Sequence, residues 1–208
     1  MPQPRFDLYL VTDRKQTGGR DLLWVLEEAL EGGAGAVQLR EKDLSGRELF
    51  DLAEKTCRLC ERYGAQLFIN DRIDVALAVG AAGVQLGRLS MPIDVARALL
   101  GPSKWIGYSA HSLDEALAAQ SGGADFILFG PVYFTPSKAG YGAPQGVDAL
   151  KKIVEISSAP VYAIGGVKPA NVDELRGVGV RGVALISAII GAAQPKQETE
   201  SILKLLRS

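Results

Sequence analysis

Side chains that can bind anions or move protons recur in this sequence where short apolar runs end. They are carboxamides, hydroxyls, carboxylates, cations, one histidine and paired glycines, whereas the opposite ends of the same runs carry mostly Gly and Ala. One end of each run is therefore suited to packing and the other to polar recognition. The polar set comprises Thr12, Asp13, Gln38, Arg40, Lys42, Asn70, Asp71, Gln85, Arg88, Ser109, His111, Thr135, Ser137, Lys138, Gly165, Gly166 and Ser187.

Two segments late in the chain are typical of phosphate-binding loops. IGGVKPAN contains Gly165 and Gly166, and ISAIIGAA contains Ser187. Paired glycines let backbone N–H groups approach an anion, and the N-terminus of a following helix adds partial positive charge. We expect Ser187 to begin the last helix and to direct its hydroxyl and N–H at the same phosphate. The alternative is that the two glycines only form a tight turn.

A pair of cations in QLREKD indicates a second anion site. Arg40 and Lys42 stand at alternate positions, so both side chains can point to one side of an extended chain. Two neighbouring cations favour a pyrophosphate or a carboxylate. In the alternative interpretation, Glu41 and Asp43 pair with these cations on the surface.

The segment GPVYFTPSKAGYGAPQG reads as a long loop, with three prolines and four glycines. Loops of this length in a compact domain commonly act as lids or binding segments. Thr135, Ser137 and Lys138 supply two hydroxyls and a cation, which suit an anionic group. The alternative is an exposed insertion without a binding role.

His111 is the only histidine of the chain, and it lies in GYSAHSLDEA. Its near-neutral pKa in ordinary surroundings suits proton transfer. Ser112 and Glu115 have the spacing of a capping box that begins a helix. A histidine beside such a cap is otherwise an ordinary surface residue, so this alternative stays open.

The elements that position these residues are strands alternating with helices along the whole chain. The strand candidates are near-continuously apolar, which is typical of parallel strands covered on both faces. Residues 21–32, 46–63, 93–100 and 113–121 have apolar residues at helical spacing, and 197–207 is a closing helix. The predicted strands are 6–11, 36–39, 66–69, 83–86, 105–109, 126–129, 161–164 and 182–186.

A weak internal repeat favours closure of these strands into a barrel. GAGAVQLR, AAGVQLG, GADFILFG and VRGVALIS place a small residue before an apolar run at the second, fourth, sixth and eighth strands. The sequence therefore predicts an α/β protein, with residues 1–208 forming one (β/α)8 TIM barrel. A doubly wound open sheet is the alternative, but VTDRKQTGG lacks the G-x-G-x-x-G that would follow its first strand.

Composition excludes several classes of function. The formal net charge is −1, from 23 basic and 24 acidic residues, which argues against nucleic-acid binding. The six-residue apolar stretch near the N-terminus is too short for a signal-peptide core, and no run approaches the length of a membrane span, so we expect a soluble, cytoplasmic protein. Cys57 and Cys60 fall in line with Leu49 and Ala53 on one helix face, so we interpret this C-x-x-C as buried packing rather than a redox or zinc motif. The sequence leaves open whether the protein forms a homodimer.

The motifs QLREK, NDR, SAHS, GPVYFTPSK, AIGG and LISAI, in this order, resemble the thiamine phosphate synthase family, which includes the thiazole tautomerases. The synthases join a pyrimidine pyrophosphate to a thiazole phosphate. The resemblance implies that one group of residues holds the pyrimidine and its pyrophosphate, and that another holds the thiazole phosphate. The first group is Gln38, Arg40, Lys42 and Asn70, with Ser109 and Lys138 on the leaving pyrophosphate and Asp71 on Mg²⁺; the second is Thr135, Ser137, Gly166, Ile186 and Ser187.

One departure from the synthase pattern shifts the preference between the two activities. The synthases usually carry a second Mg²⁺ carboxylate in a segment like G-Q-x-D, where this chain has GRLS. Arg88 replaces the glutamine and Ser90 replaces the aspartate, and both changes oppose Mg²⁺ binding. We therefore expect a thiazole tautomerase that needs no cofactor, with His111 moving the proton and Lys138 assisting.

Two alternatives remain beside the tautomerase. One is a thiamine phosphate synthase that uses Mg²⁺ and releases pyrophosphate from hydroxymethylpyrimidine pyrophosphate. The other is a barrel without catalytic activity that senses thiazole or thiamine phosphates. In each case the expected partner is a phosphorylated thiazole, joined in the synthase by the pyrimidine pyrophosphate.

Overall fold

Eight parallel strands close into a barrel in the computed structural model, which describes residues 4–135 and 143–208. Each strand pairs with the next in sequence, and the eighth pairs with the first. The predicted (β/α)8 TIM barrel is confirmed. The strands are β1 Leu8–Val11, β2 Ala36–Leu39, β3 Gln66–Asn70, β4 Gly83–Leu86, β5 Trp105–Ala110, β6 Phe126–Phe129, β7 Val161–Ile164 and β8 Gly182–Leu185.

The helices between the strands cover the outside of the barrel. Every residue of β1, β2, β4, β6 and β8 is buried, as the continuous apolar runs predicted. Within the described residues, no helix is both long and apolar enough to cross a membrane. The helices are α1 Leu22–Glu31, α2 Gly46–Arg62, α3 Ile73–Ala78, α4 Ile93–Leu100, α5 Leu113–Ser121, α6 Gly146–Ile156, α7 Val172–Val178, α8 Ser187–Ile190 and α9 Pro195–Arg207.

Helix α2 shows how the local sequence sets an element boundary. The Ser45 hydroxyl accepts a hydrogen bond from the Glu48 N–H, and the Glu48 carboxylate accepts one from the Ser45 N–H. This reciprocal capping box satisfies N–H groups that have no partner within the helix. Cys57 and Cys60 lie on the buried face that faces the barrel, as predicted.

The inside of the barrel is filled with aromatic rings toward the amino ends of the strands. The Phe6 ring stacks on the Tyr162 ring with centroids 4.7 Å apart, and Phe126 packs edge-on to Phe6 at 5.7 Å. Tyr9 and Phe68 complete the cluster, with centroids 5.3 Å apart. Because aromatic side chains occupy this half, the barrel interior is closed at one end, and polar side chains line the other.

Asp7 joins three elements at the closed end of the barrel. Its carboxylate accepts a hydrogen bond from Arg181 at 2.8 Å, just before β8, and one from Arg207 at 2.9 Å, at the end of α9. Helix α9 begins at Pro195, two residues before the predicted start, because proline is favoured in the first turn of a helix. The ion pairs therefore tie both ends of the chain to the β1–β8 seam.

We predict that Asp7→Asn lowers the unfolding free energy at pH 7 by about 1 kcal/mol, because these ion pairs are partly exposed. Partial burial alone would raise the pKa of Asp7, but the hydrogen bonds from Arg181 and Arg207 bring it below its usual range. The stabilisation is therefore complete above the pKa of the unfolded carboxyl, about 3.9, and is lost as the pH falls through the folded pKa.

Urea unfolding at pH 7 and at pH 3 checks this expectation, with Asp51→Asn as the matched control. Asp51 pairs with Arg47 on the exposed face of α2 at 3.3 Å. This control changes the unfolding free energy by less than about 0.5 kcal/mol. A gap between wild type and Asp7→Asn that widens on acidification would contradict the assignment.

Candidate active site

The predicted polar residues that the structure describes lie at one rim because all eight strands run parallel. Gln38 is near the end of β2, Asn70 ends β3, and Ser109 lies near the end of β5. In the sheet register Gln38 pairs with Val11 and Asn70 pairs with Gln85. The carboxyl ends of neighbouring strands are thereby brought together around the open end of the barrel.

A buried polar network forms the floor beneath this rim. The Gln85 amide lies between the Tyr9 hydroxyl, 3.4 Å away, and the Ser109 hydroxyl, 3.0 Å away. With its oxygen turned toward Ser109, the amide also accepts hydrogen bonds from the N–H groups of Tyr108 and Ser109 at 3.3 and 3.2 Å. That orientation satisfies more buried polar atoms, so we assign it.

Tyr9 was not among the predicted site residues. Its side chain is fully buried, and this burial raises the pKa of its hydroxyl well above the usual value, although a hydrogen bond with Gln38 opposes the shift. The phenol is therefore neutral and serves as a hydrogen-bonding group. The sequence signal was a single tyrosine within the otherwise aliphatic run LYLV.

Asp71 is held in a specific orientation at the end of β3. Its φ is 61°, an uncommon conformation for a residue with a side chain. The Asn70 amide donates to one carboxylate oxygen at 2.7 Å, and the Ser90 hydroxyl donates to the other. Ser90 also accepts a hydrogen bond from the Gly87 N–H at 2.7 Å. The β4–α4 segment therefore fixes the carboxylate through Ser90.

The cations Arg40 and Lys42 follow β2 at the same rim. The alternative interpretation, in which Glu41 and Asp43 neutralise them, does not hold in the structure, because both carboxylates pair instead with Arg14. Among the described residues, the side chains of Arg40 and Lys42 have no hydrogen-bonding or ionic partner.

His111 lies between the ends of β5 and β6. Its Nδ1 is 2.5 Å from the Gly130 carbonyl oxygen, and since a carbonyl only accepts, Nδ1 carries the proton. This contact fixes the orientation of the imidazole ring of the exposed His111. The Ser112 hydroxyl caps α5 by accepting from the Glu115 N–H, but the Glu115 carboxylate accepts from the His111 N–H instead of completing the capping box.

Gly165 and Gly166 follow β7 with φ values of 91° and 68°, which residues with a Cβ rarely adopt. A Cβ on Gly166 would lie 2.7 Å from the Phe134 carbonyl oxygen, so the β6 loop packs directly against this turn. Ile186 and Ser187 follow β8. The exposed Ser187 begins the four-residue α8, which corrects the expectation that it begins the last helix.

The loop after β6 is only partly described. Thr135 is half-buried beside the exposed Phe134. The predicted site residues Ser137 and Lys138 lie outside the described residues.

The cysteines form no part of this rim. Across the described part of the chain, no three His, Cys, Asp or Glu side chains are grouped to hold a metal ion. Burial raises the pKa of Cys57, and it raises the pKa of Cys60 to about 12. Since the thiolate is the nucleophile and metal ligand, both thiols are poorly reactive.

A closed parallel barrel whose polar side chains gather at the carboxyl ends of its strands defines the class of (β/α)8-barrel enzymes. Within that class, residues 8–189 match the family model described as thiamine monophosphate synthase, and the chain belongs to this family. The resemblance seen in the sequence motifs is confirmed.

Individual relatives match nearly the whole chain. A protein of Geobacter sulfurreducens is 54% identical over 99% of this chain and 97% of its own length. The thiamine-phosphate synthase of Clostridium novyi is 43% identical over 89% of this chain and 91% of its own. The structure of a thiamine phosphate pyrophosphorylase from Pyrococcus furiosus superposes with a TM-score of 0.89 and 42% identity, covering 97% of this chain and 96% of that one.

The preference for a thiazole tautomerase is therefore wrong. Relatives with 42% and 43% identity over most of the chain are named for thiamine phosphate synthesis. The preference depended on Ser90 as a lost carboxylate, yet the Ser90 hydroxyl contacts Asp71 and keeps that carboxylate oriented.

We predict that both cysteines of the folded protein react with a thiol-specific disulfide reagent at pH 8 about 100-fold more slowly than in the unfolded chain. Burial and the raised pKa values are the cause. Absorbance of the released thiol in buffer and in guanidinium chloride measures the two rates. Rapid modification of a cysteine in the native state would contradict the packing interpretation.

Proposed function

We propose that this enzyme is a thiamine phosphate synthase, which joins hydroxymethylpyrimidine pyrophosphate to thiazole phosphate. The observation that carries the proposal is the oriented Asp71 carboxylate on the same rim as two cations, Arg40 and Lys42, whose side chains have no partner among residues 4–135 and 143–208. A departing pyrophosphate requires such positive charge and a metal ligand. The names of the relatives support the same reaction.

The reaction needs stabilisation of a leaving anion and of a developing cation. The C–O bond between the pyrimidine methylene and pyrophosphate breaks, and a C–N bond forms between that carbon and the thiazole nitrogen. Pyrophosphate leaves with the electron pair, toward Arg40 and Lys42. Gln38 and Asn70 would hold the pyrimidine, and the neutral Tyr9 below Gln38 adds no charge that would oppose the developing cation.

The residues present fit a Mg²⁺ ion that is shared with the substrate. Mg²⁺ takes oxygen ligands and commonly uses one or two carboxylates together with substrate phosphates and water. Asp71 supplies one carboxylate, and Ser90 supplies a hydroxyl oxygen beside it. Bound Mg²⁺ would neutralise charge on the pyrophosphate. Asn70 and Ser90 keep the Asp71 carboxylate in place for it.

The thiazole phosphate would bind between the loops that follow β7 and β8. The Gly165–Gly166 turn, in which both residues have positive φ, would direct backbone N–H groups at the phosphate, and the exposed Ser187 would add a hydroxyl. Ile186 supplies an apolar contact, and Thr135 approaches from the β6 loop. Ser137 and Lys138 of that loop would complete the site, with Ser109 and Lys138 contacting the pyrophosphate.

The direct test is incubation of the protein with both substrates, with and without Mg²⁺. We expect equal amounts of thiamine phosphate and pyrophosphate, formed only with Mg²⁺. Asp71→Asn should lower kcat/KM about 100-fold, because a carboxylate ligand is lost. Asp74→Asn is the matched control, since this exposed carboxylate lies three residues after Asp71 and pairs with Arg72. Equal losses in both variants, or wild-type binding of both substrates without product, would contradict the proposal.

A second test separates the two substrate sites. Gly166→Ala should raise KM for thiazole phosphate about tenfold, since the strained φ and the new Cβ disturb the turn. KM for the pyrimidine pyrophosphate should stay within about twofold. Gly177→Ala is the control, because a Cβ there meets no atom within 4 Å. Steady-state kinetics with each substrate varied in turn measures both constants, and a change confined to the pyrimidine substrate would contradict the assignment.

A further inference from the structure

The loops after β1 and β2 are held together by an ionic cluster. The Arg14 guanidinium contacts the Glu41 carboxylate at 3.0 Å and the Asp43 carboxylate at 2.6 and 3.0 Å. The Arg14 N–H also donates to Glu41, at 3.1 Å. Lys15 is a second cation on Asp43, with its Nζ 2.8 Å from the carboxylate. Four charges of this cluster, two of each sign, therefore neutralise one another.

The two carboxylates differ in exposure. The Glu41 side chain is only 2% exposed, so its charge requires a partner, whereas the Asp43 side chain is 43% exposed. Hydrogen bonds from Arg14, and then Lys15, hold the pKa of Asp43 well below its usual range. Both carboxylates are paired with cations of the β1 loop, and if released they would compete for any other nearby cation.

The nearest cations in sequence are Arg40 and Lys42, which alternate with the two carboxylates. The backbone of Arg40 is anchored where its N–H donates to the Thr12 hydroxyl at 2.9 Å. Its side chain and that of Lys42 make no ion pair or hydrogen bond within residues 4–135 and 143–208. The carboxylates that could neutralise them, Glu41 and Asp43, are already paired with residues of the loop after β1.

We infer that Arg14 is a positioning residue, which sequesters Glu41 and Asp43 so that Arg40 and Lys42 stay available to the pyrophosphate. The inference rests on the proposed function. Arginine suits this role because its planar fork reaches two carboxylates at once, which a lysine ammonium does less well. Arg14 acts here through other residues, without touching the substrate.

The test is a double-mutant cycle read by binding of inorganic pyrophosphate in the presence of Mg²⁺. Arg14→Met should raise the Kd for pyrophosphate about tenfold, since a released Glu41 pairs with Arg40 or Lys42. Adding Glu41→Gln to Arg14→Met should restore Kd to within about threefold of wild type, because the neutral amide no longer competes. Calorimetry measures each Kd, and KM for thiazole phosphate should stay unchanged throughout.

Arg14→Lys covers the outcome in which Arg14→Met does not fold. It keeps a cation for the buried Glu41 and loses the fork, so Kd should rise by a smaller factor. Unchanged Kd in Arg14→Lys and Arg14→Met, or no rescue by Glu41→Gln, would overturn the inference; absence of rescue would mean that Arg14 binds the anion itself. A wild-type chain that binds no pyrophosphate would overturn it as well. Absence of thiamine phosphate formation despite pyrophosphate binding would instead count against the proposed function alone.

Discussion

Pairing of β1 with β8 is the constraint on which the rest of the molecule depends. Leu8 pairs with Val183 and Leu10 with Leu185, and this register closes the sheet. Once it is closed, all strands end on one rim, and residues far apart in sequence meet there. Asp7, at the start of this seam, connects it to the last helix, so the ends of the chain stabilise the geometry of a site at the opposite end of the barrel.

The charge that is available at the open rim depends on which carboxylates are already paired, more than on the number of cations. The chain as a whole is nearly neutral, at −1. Glu41 is satisfied by Arg14, and Asp71 is oriented by uncharged donors, Asn70 and Ser90. Because its donors are uncharged, Asp71 keeps its negative charge available for a cation. A local excess of positive charge beside β2 and a single available carboxylate after β3 can therefore coexist.

Much of the architecture was predictable because buried parallel strands have continuous apolar runs with polar residues at one end. The position of Gly166 after β7 was predictable on the same basis. Contacts between loops were not predictable, because the partners are far apart in sequence. Helix α3 and strand β4 lie between Asp71 and Ser90, and α1 and β2 lie between Arg14 and Glu41. Sequence spacing contains no information on which carboxylate a distant side chain reaches. That gap led to the wrong preference for a metal-free tautomerase.

The central claim is that one rim binds two phosphorylated groups at separate places. A crystal structure of the enzyme with thiamine phosphate, pyrophosphate and Mg²⁺ tests this claim most directly. We predict the ester phosphate at Gly166 and Ser187, and the pyrophosphate beside Arg40 and Lys42 with the metal on Asp71. Pyrophosphate bound at the amino ends of the strands, or both phosphorylated groups in one place, would contradict the account.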